Sequence, residues 1–201
     1  MLDGWIRPRI DPPLALAGKK LAAAGISADA ITIGGCVIGV SAAVAVAVGH
    51  FTVALLLLIA NRVADGLDGA VARATRRTDR GAFLDISLDF VVYAAVPLGF
   101  AAWNAPANTL SAAFLLASYI ANGCAFLAFS TLAERRGLVT ERQGLKSIYY
   151  LAGLAEGFET IVFMLAVCAV PDAFALLATL FAALCWVSAA GRLALGWRLL
   201  G

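Results

Sequence analysis

The sequence predicts an all-α integral membrane protein: a bundle of six transmembrane helices preceded by an interfacial amphipathic helix. Of its 201 residues, 62% are hydrophobic and 14% are charged, whereas ordinary globular domains have roughly 45–50% and about 25%. A soluble fold of this length could not bury so much apolar surface, so we expect membrane lipid to surround much of the chain. The net charge of +2 gives no indication of a nucleic-acid partner.

Six apolar segments approach the length of about 20 residues that a membrane-spanning helix needs. They lie at about Ile31–Gly49, Phe51–Arg73, Ala82–Trp103, Leu110–Leu132, Ile148–Val170 and Ala173–Trp197. Glycine or proline separates neighbouring segments, as Gly49 does for the first two and Pro171 for the last two. We therefore predict a single membrane domain over residues 1–201, with an interfacial segment at 1–27 and the six-helix bundle at 28–201.

The segment before the first span mixes apolar residues with lysine and arginine, and Pro8, Pro12 and Pro13 fall in its first half. Because proline interrupts helices, we expect only a short helix, at about Leu14–Ala24. Its mixture of basic and apolar residues predicts that it lies on the cytoplasmic leaflet. A disordered basic arm is the alternative.

The distribution of lysine and arginine predicts the orientation in the membrane. These residues lie before span one, between spans two and three, between spans four and five, and at the end of the chain, whereas the other three connections have none. Cytoplasmic loops are enriched in lysine and arginine. We therefore expect a multi-pass protein of the cell membrane with both termini and both basic loops in the cytoplasm.

Four aspartates lie within 25 residues, in or beside spans two and three: Asp65, Asp68, Asp85 and Asp89. A charged side chain inside a membrane is costly unless it is paired or hydrated, so such residues are candidates for function. The members of each pair are three or four residues apart, so each pair shares one helix face. Both pairs lie at the cytoplasmic ends of two antiparallel spans joined by a short loop, so the two acidic faces can converge.

Four carboxylates this close together repel one another unless cations or protons neutralise them. Hard divalent cations prefer oxygen ligands, which predicts a site for Mg²⁺ or Mn²⁺. Two such ions about 3.5–4 Å apart can clamp a phosphoryl group, and a spare carboxylate can accept the proton of an attacking hydroxyl. The acidic cluster therefore predicts metal-dependent chemistry on a phosphate ester.

The residues around the aspartates form a longer pattern: Asp65-x-x-Asp68-Gly69-x-x-Ala72-Arg73, seven residues, then Gly81-x-x-x-Asp85-x-x-x-Asp89. This pattern resembles the signature of the CDP-alcohol phosphotransferase family, also called the CDP-alcohol phosphatidyltransferases, and all eight fixed positions are present. The six spans and the interfacial helix before them are similar to the architecture of that family. The resemblance thus covers nearly the whole chain.

The resemblance implies a role for each position of the motif. Metal ions, two in number, would be ligated by Asp65, Asp68, Asp85 and Asp89. The CDP moiety would be bound by Gly69, Ala72, Arg73 and Gly81. Asp89 would also be the catalytic base toward the acceptor hydroxyl. The reaction would move a phosphatidyl group from CDP-diacylglycerol to a small water-soluble alcohol and release CMP, in a cytoplasm-facing cavity of a homodimer.

The acceptor alcohol is not named by any motif. Lys146 and Arg192, near the cytoplasmic ends of spans five and six, could bind a phosphate on the acceptor, which makes glycerol 3-phosphate the first hypothesis. Inositol phosphate, serine and choline stay open, because both basic residues are equally explained by snorkelling to the membrane interface. Phe90 stands where some members of the family have a charged residue, so close analogy does not identify the acceptor either.

Three other charged residues lie inside predicted spans: Arg62 in span two, and Glu156 and Glu159 in span five. Arg62 is eleven residues from the outer start of its span and Glu159 is eleven residues before Val170, so both lie about 17 Å deep at 1.5 Å per residue. We predict that Arg62 forms a structural ion pair with Glu159 or Glu156.

Two other classes of function compete with the enzymatic interpretation. The aspartates could form structural ion pairs with arginines at the membrane surface, but such pairs require no particular spacing. They could also bind ions or relay protons in a transporter. A transporter, however, predicts polar groups through the whole membrane thickness, and it gives no role to Gly69, Ala72, Arg73 and Gly81.

Overall fold

The computed structural model describes residues 3–136, 155 and 157–200, and the regular structure in these ranges is helical. The helices are α1 Asp3–Ala23, α2 Ala28–Ala47, α3 Phe51–Ala74, α4 Asp79–Trp103, α5 Ala105–Arg135, α6 Gly157–Ala169 and α7 Phe174–Leu200. A single 3₁₀ turn at Pro171–Ala173 leads into α7. The predicted all-α class is confirmed for this part of the chain.

Four of the helical segments are long and apolar enough to cross a membrane: Ala28–Ala47, Asp79–Trp103, Ala105–Arg135 and Pro171–Leu200. They leave large apolar side chains uncovered; Val37 is 61% exposed and Leu98 is 55% exposed. Contiguous apolar faces of this kind need lipid to cover them. Helix α3 has 24 residues but carries charged side chains, and α6 has 13 in its described part, so the count of six spans stays a prediction.

The predicted ends of the helices hold best where glycine or an aromatic residue marks them. Helix α3 begins at Phe51 and α4 ends at Trp103, as the sequence predicts. Helix α5 begins five residues earlier than predicted, at Ala105 rather than Leu110. The reason is Pro106, which lies in the first turn of α5, where a helix does not need the amide donor that proline lacks.

The prediction of a helix confined to Leu14–Ala24 was wrong, because α1 extends over Asp3–Ala23 and includes Pro8, Pro12 and Pro13. Each proline removes one amide donor and can bend a helix without ending it. The interfacial position and amphipathic character of α1 stay predictions.

Helix α1 packs along α3, and small residues allow the two backbones to approach closely. A Cβ atom on Gly18 would lie 2.7 Å from the Cβ atom of Ala70, and one on Gly66 would lie 2.9 Å from Cδ1 of Leu14. Glycine is therefore required for this approach at position 18, opposite backbone and Cβ atoms of α3. The contact fixes α1 beside the half of α3 that carries Asp65 and Asp68.

Helix α2 is the element on which both α3 and α4 pack. Its buried face consists mainly of small residues: Gly35, Gly39, Ala42, Ala43, Ala45 and Val46. Small residues let helix backbones come close together inside a membrane. At the crossing with α4, a Cβ atom on Gly99 would lie 2.5 Å from the carbonyl oxygen of Ala43. This close packing sets the spacing of α3 and α4 on either side of α2.

The turn between α2 and α3 is closed by Gly49, whose φ of +80° suits glycine. Trp103 covers this turn, since a Cβ atom on Gly49 would lie 3.5 Å from its indole nitrogen. The ring of Phe51 meets Trp103 edge to face at 4.7 Å between centroids. This aromatic contact ties the start of α3 to the end of α4, and so fixes the register of the two aspartate-bearing helices.

The chain divides into two compact units, Met1–Trp103 with Met164–Pro171, and Asn104–Phe163 with Asp172–Gly201. The second unit is built on α5 and α7, which pack along each other. There the amide of Ala155 donates to Oγ of Ser188 at 2.9 Å, and its carbonyl accepts from Asn122 at 3.1 Å. The predicted single domain stays a prediction.

The contact at Gly99 predicts a large effect of one added methyl group. Replacing Gly99 by alanine should destabilise the fold by about 1–3 kcal/mol, because the new Cβ meets rigid backbone and forces α2 and α4 apart. Thermal unfolding of the detergent-solubilised protein, followed by size-exclusion chromatography of what stays soluble, measures this. Gly34→Ala is the matched control, because a Cβ atom there meets nothing within 4 Å; equal stability of both variants would contradict the packing argument.

Candidate active site

The acidic faces of α3 and α4 converge, as their spacing predicts. Carboxylate oxygens of Asp65, Asp68 and Asp85 all lie within 4.8 Å of one another. Asp65 and Asp68 are three residues apart on α3, one turn from each other, and Asp85 reaches them from α4. Three of the four predicted metal ligands are therefore brought to one point.

Asp68 is the most enclosed of the three, at 7% exposure. Its Oδ2 atom accepts a hydrogen bond of 2.7 Å from the hydroxyl of Thr32 on α2. A hydrogen bond to a charged acceptor is stronger than one between neutral groups, so Thr32 fixes the direction of the Asp68 carboxylate. This link makes α2 part of the site as well as the support for α3 and α4.

The chemistry of these donors fits a divalent cation. The cluster presents carboxylate oxygens, which are the ligands that Mg²⁺ and Mn²⁺ prefer. Asp85 is exposed and Asp65 is partly exposed, so one side of the cluster is open to a second, non-protein ligand. Three anionic groups within 4.8 Å repel one another unless a cation lies among them.

Asp89 has a different environment from the other three aspartates. Its Oδ1 atom accepts a hydrogen bond of 2.8 Å from Nη2 of Arg62, and its Oδ2 atom accepts one of 3.2 Å from the hydroxyl of Tyr93. Nη1 of Arg62 also lies 3.9 Å from Oδ2 of Asp65. The guanidinium therefore lies between Asp89 and Asp65, and the predicted role of Asp89 as a metal ligand stays a prediction.

Arg62 is itself held by Asn61, the residue before it. Nε of Arg62 donates to Oδ1 of Asn61 at 2.9 Å, and Nδ2 of Asn61 donates to the carbonyl oxygen of Gly35 at 2.8 Å. Asn61 is 4% exposed, so water does not compete for these bonds. The side chain of Arg62 is thus anchored to the backbone of α2.

The four residues expected to bind the CDP moiety line one groove of about 530 Å³, namely Gly69, Ala72, Arg73 and Gly81. Thr32, Asp68 and Asp85 line both this groove and the smaller cavity that holds Asp65 and Asp89. The groove thus opens directly onto the acidic cluster. Its volume is in the range of small-molecule sites.

The positive charge of the groove comes from arginines at the end of α3, in the following loop and in the first turn of α4. Arg73, Arg76, Arg77 and Arg80 all line it, and Arg80 forms an ion pair with Asp29 of α2. The loop ends at Thr78, whose hydroxyl accepts a hydrogen bond of 3.0 Å from the amide of Gly81 and caps α4. A polar groove with several guanidinium groups can bind phosphate oxygens.

The remaining predicted residues lie in the other unit or outside the described residues. Lys146 and Glu156 lie outside the described residues. Arg192 belongs to the second compact unit, where it lies 4.8 Å from the ring centroid of Phe126 and lines an apolar cavity of about 540 Å³. Its role toward the acceptor, and a pairing of Arg62 with Glu159, stay predictions.

Comparing the depths of residues in the membrane did not identify Asp89 and Asp65 as the partners of Arg62. The spacing along the helices did contain an indication. Arg62 precedes Asp65 by three residues, so both share one face of α3, and Tyr93 follows Asp89 by four on α4. Depth along a helix says nothing about the direction in which a side chain points. No spacing pattern in the sequence indicates the role of Thr32, because its partner Asp68 is 36 residues away on another helix.

Comparison with known proteins decides the family. The sequence model described as CDP-alcohol phosphatidyltransferase matches residues 26–194. The chain belongs to the CDP-alcohol phosphatidyltransferase family. This confirms the resemblance drawn from the aspartate motif, which lies in the first half of the matched region.

Two curated proteins are similar to this phosphatidyltransferase-family chain over most of their length. Inner membrane protein YnjF of Escherichia coli (strain K12) is 43% identical over 197 residues, which are 98% of this chain and 96% of that protein. Archaetidylinositol phosphate synthase of Pyrococcus horikoshii is 30% identical over 168 residues, which are 81% of this chain and 87% of that protein. With four helices able to cross a membrane, the chain is a multi-pass membrane phosphatidyltransferase-family protein.

A solved structure has the same fold as this phosphatidyltransferase-family chain. The crystal structure of Mycobacterium tuberculosis phosphatidylinositol phosphate synthase (PgsA1) with CDP-DAG bound superposes with a TM-score of 0.73 and covers 94% of each chain. The two sequences are 22% identical. The likeness therefore shows a shared fold.

The hydrogen bond from Thr32 to Asp68 predicts a measurable effect on metal binding. Thr32→Val should weaken Mn²⁺ binding about 10-fold, because groups that orient a ligand contribute strongly to metal affinity. Equilibrium dialysis of the purified protein against Mn²⁺ measures it. Thr131→Val is the control, since that hydroxyl donates to the carbonyl of Leu127 in its own helix; equal affinities of the two variants would show that Thr32 does not orient Asp68.

Proposed function

We propose that the protein transfers a phosphatidyl group from CDP-diacylglycerol to a small phosphorylated alcohol and releases CMP. The proposal rests mainly on one observation: the arginine-lined groove is continuous with the acidic cluster. The groove lined by Gly69, Ala72, Arg73 and Gly81 opens onto the acidic cluster and shares Asp68 and Asp85 with it. A nucleoside diphosphate bound in the groove would thus have its phosphate groups next to the carboxylates of Asp68 and Asp85.

Asp65, Asp68 and Asp85 would hold Mg²⁺ or Mn²⁺. A divalent ion bound by these carboxylates would supply the positive charge that oxygens of the diphosphate need during transfer. The protein contributes the donors and their directions: Thr32 orients Asp68, and the packing of α3 and α4 on α2 fixes the distance between Asp85 and the pair on α3.

The remaining groove residues would bind the nucleotide. Arg73 can hold a phosphate oxygen with its fork of donors. Gly69 leaves room for it, since a Cβ atom there would lie 3.3 Å from Nη1 of Arg73. The lipid tails of the donor would extend into the bilayer beside the exposed apolar faces of the helices.

Asp89 would act as the base. The acceptor oxygen forms a bond to the phosphorus that carries the diacylglycerol, and the bond from that phosphorus to the bridging oxygen breaks, so that CMP leaves with this oxygen. Asp89 would take the proton of the acceptor hydroxyl as the new bond forms. Arg62 and Tyr93 each donate to one of its oxygens, which restricts the direction of the carboxylate.

The acceptor would carry a phosphate group. The names of two relatives, archaetidylinositol phosphate synthase and phosphatidylinositol phosphate synthase, support inositol phosphate over the glycerol 3-phosphate that the sequence analysis puts first. Serine and choline are the uncharged or cationic alternatives. A panel of these four alcohols distinguishes them in one assay.

The site would face the cytoplasm. An arginine lies in the last turn of each of α3, α5 and α7, namely Arg73, Arg135 and Arg198. The connections at residues 48–50, 104 and 170–173 carry no lysine or arginine, and this alternation along the sequence supports a cytoplasmic position for the basic ends. The full set of six spans, an interfacial α1 and a homodimer rest on the resemblance to the family.

The proposal predicts that CMP release depends on the aspartates. In nanodiscs with CDP-diacylglycerol, Mn²⁺ and the preferred acceptor, Asp89→Asn should lower the rate of CMP release about 10²–10⁴-fold, the usual contribution of a general base. Asn at position 65, 68 or 85 should abolish release by removing a metal ligand. CMP is quantified by chromatography.

Asp79→Asn serves as the control for these substitutions, because Asp79 is an exposed aspartate in the first turn of α4 and does not line the groove. Its rate should stay within about twofold of the original. Absence of CMP release with all four alcohols, together with a change of ion flux in Asp89→Asn liposomes, would favour a transporter instead.

A further inference from the structure

We propose that Arg62 takes the place of a second metal ion, so that the site binds one divalent cation per chain and uses a guanidinium group as its other positive charge. This inference rests on the proposed metal site at Asp65, Asp68 and Asp85. It departs from the two-metal arrangement that the aspartate motif alone predicts.

Asp89 lies in the same cavity as the other three aspartates but outside the group that their oxygens form. Only Asp65, Asp68 and Asp85 form a cluster of carboxylate oxygens within 4.8 Å among the described residues. Asp89 instead has a donor on each oxygen, Arg62 at 2.8 Å and Tyr93 at 3.2 Å. The protein therefore supplies Asp89 with a cation and a hydroxyl of its own.

The guanidinium of Arg62 lies between two acidic groups. Nη2 of Arg62 contacts Asp89, and Nη1 lies 3.9 Å from Asp65. The guanidinium thus supplies Asp65 and Asp89 with the positive charge that a second metal ion would otherwise supply. Arginine does not lose its proton in proteins, so this positive charge is permanent, and a divalent ion brought to the same pair of carboxylates would be repelled by it.

Arg62 is held in place by neighbouring side chains. The bond to Asn61 and the buried bond from Asn61 to the carbonyl of Gly35 fix its Nε side. The ring of Tyr93 lies 6.0 Å from its guanidinium carbon, within the range of a cation–π contact. The side chain is 14% exposed, so leaving Asp89 would remove the closest counter-charge of a guanidinium that water reaches only partly.

The arrangement separates two tasks in the proposed reaction. The carboxylates of Asp65, Asp68 and Asp85 would hold the metal ion near the diphosphate, while Asp89, oriented by Arg62 and Tyr93, would keep its oxygens free of metal and accept the proton of the acceptor hydroxyl. Arg62 is thus a positioning residue that acts through Asp89. Its removal should change the number of metal ions bound as well as the reaction rate.

Counting bound Mn²⁺ tests this inference without any substrate. The full-length protein in nanodiscs is titrated with Mn²⁺, and the free ion is followed by electron paramagnetic resonance. We expect one Mn²⁺ per chain for the unaltered protein and two for Arg62→Gln, with a spin-coupled signal only in that variant. Arg62→Lys, which keeps the charge, should bind one. Adding Asp89→Asn to Arg62→Gln should restore one, because it removes the ligand that the second ion needs.

Arg198→Gln, an exposed arginine in the last turn of α7, is the matched control and should leave the count at one. Two spin-coupled ions in the unaltered protein would overturn the inference, whether or not Arg62→Gln folds. A count of one in Arg62→Gln, with the affinity of the first ion retained, would also overturn it. If the protein bound no Mn²⁺, the proposed metal site would be wrong as well. If the unaltered protein bound two ions and released CMP normally, this inference would be wrong but the proposed function would stand.

Discussion

The repulsion between four carboxylates in two apolar helices is the constraint on which this structure depends. Asp65, Asp68, Asp85 and Asp89 are stable near the membrane only if positive charge and hydrogen-bond donors surround them. The fold supplies these from α2 and α3: the Thr32 hydroxyl for Asp68 and the Arg62 guanidinium for Asp89. The positions of these donors depend in turn on uncharged residues, the small side chains that let α2 approach α3 and α4.

Helix α2 has no member of the aspartate motif, yet the geometry of the site depends on it. It packs on both motif helices, contributes Thr32, and accepts the Asn61 hydrogen bond at Gly35. The close contact at Gly99 and the aromatic pair of Phe51 and Trp103 then fix the register of α3 and α4. The positions of the aspartates in this chain thus rest on backbone spacing that residues outside the motif determine.

The class of fold, the start of α3, the end of α4 and the meeting of three aspartates could be predicted from composition, from spacing along each helix and from the short loop that makes α3 and α4 antiparallel neighbours. The contacts of Thr32 and of Arg62 could not be predicted in this way. Thr32 joins Asp68 only because α2 crosses α3 at that level, and Arg62 joins Asp89 because of the direction in which its side chain leaves α3. The start of α1 was missed for another reason: proline weakens a helix locally, and neighbouring turns can still continue it.

The close packing of α1 on α3 limits the substitutions that relatives can carry at this crossing. At Gly66 the nearest atom to a new Cβ would be the end of a leucine side chain, Leu14 Cδ1 at 2.9 Å, and a flexible side chain can be exchanged for a smaller one. Positions 14 and 66 should therefore vary as a correlated pair. Gly18 has no such freedom, because it faces backbone atoms of Ala70 and Val71, so every homologue that keeps this crossing has to keep glycine there.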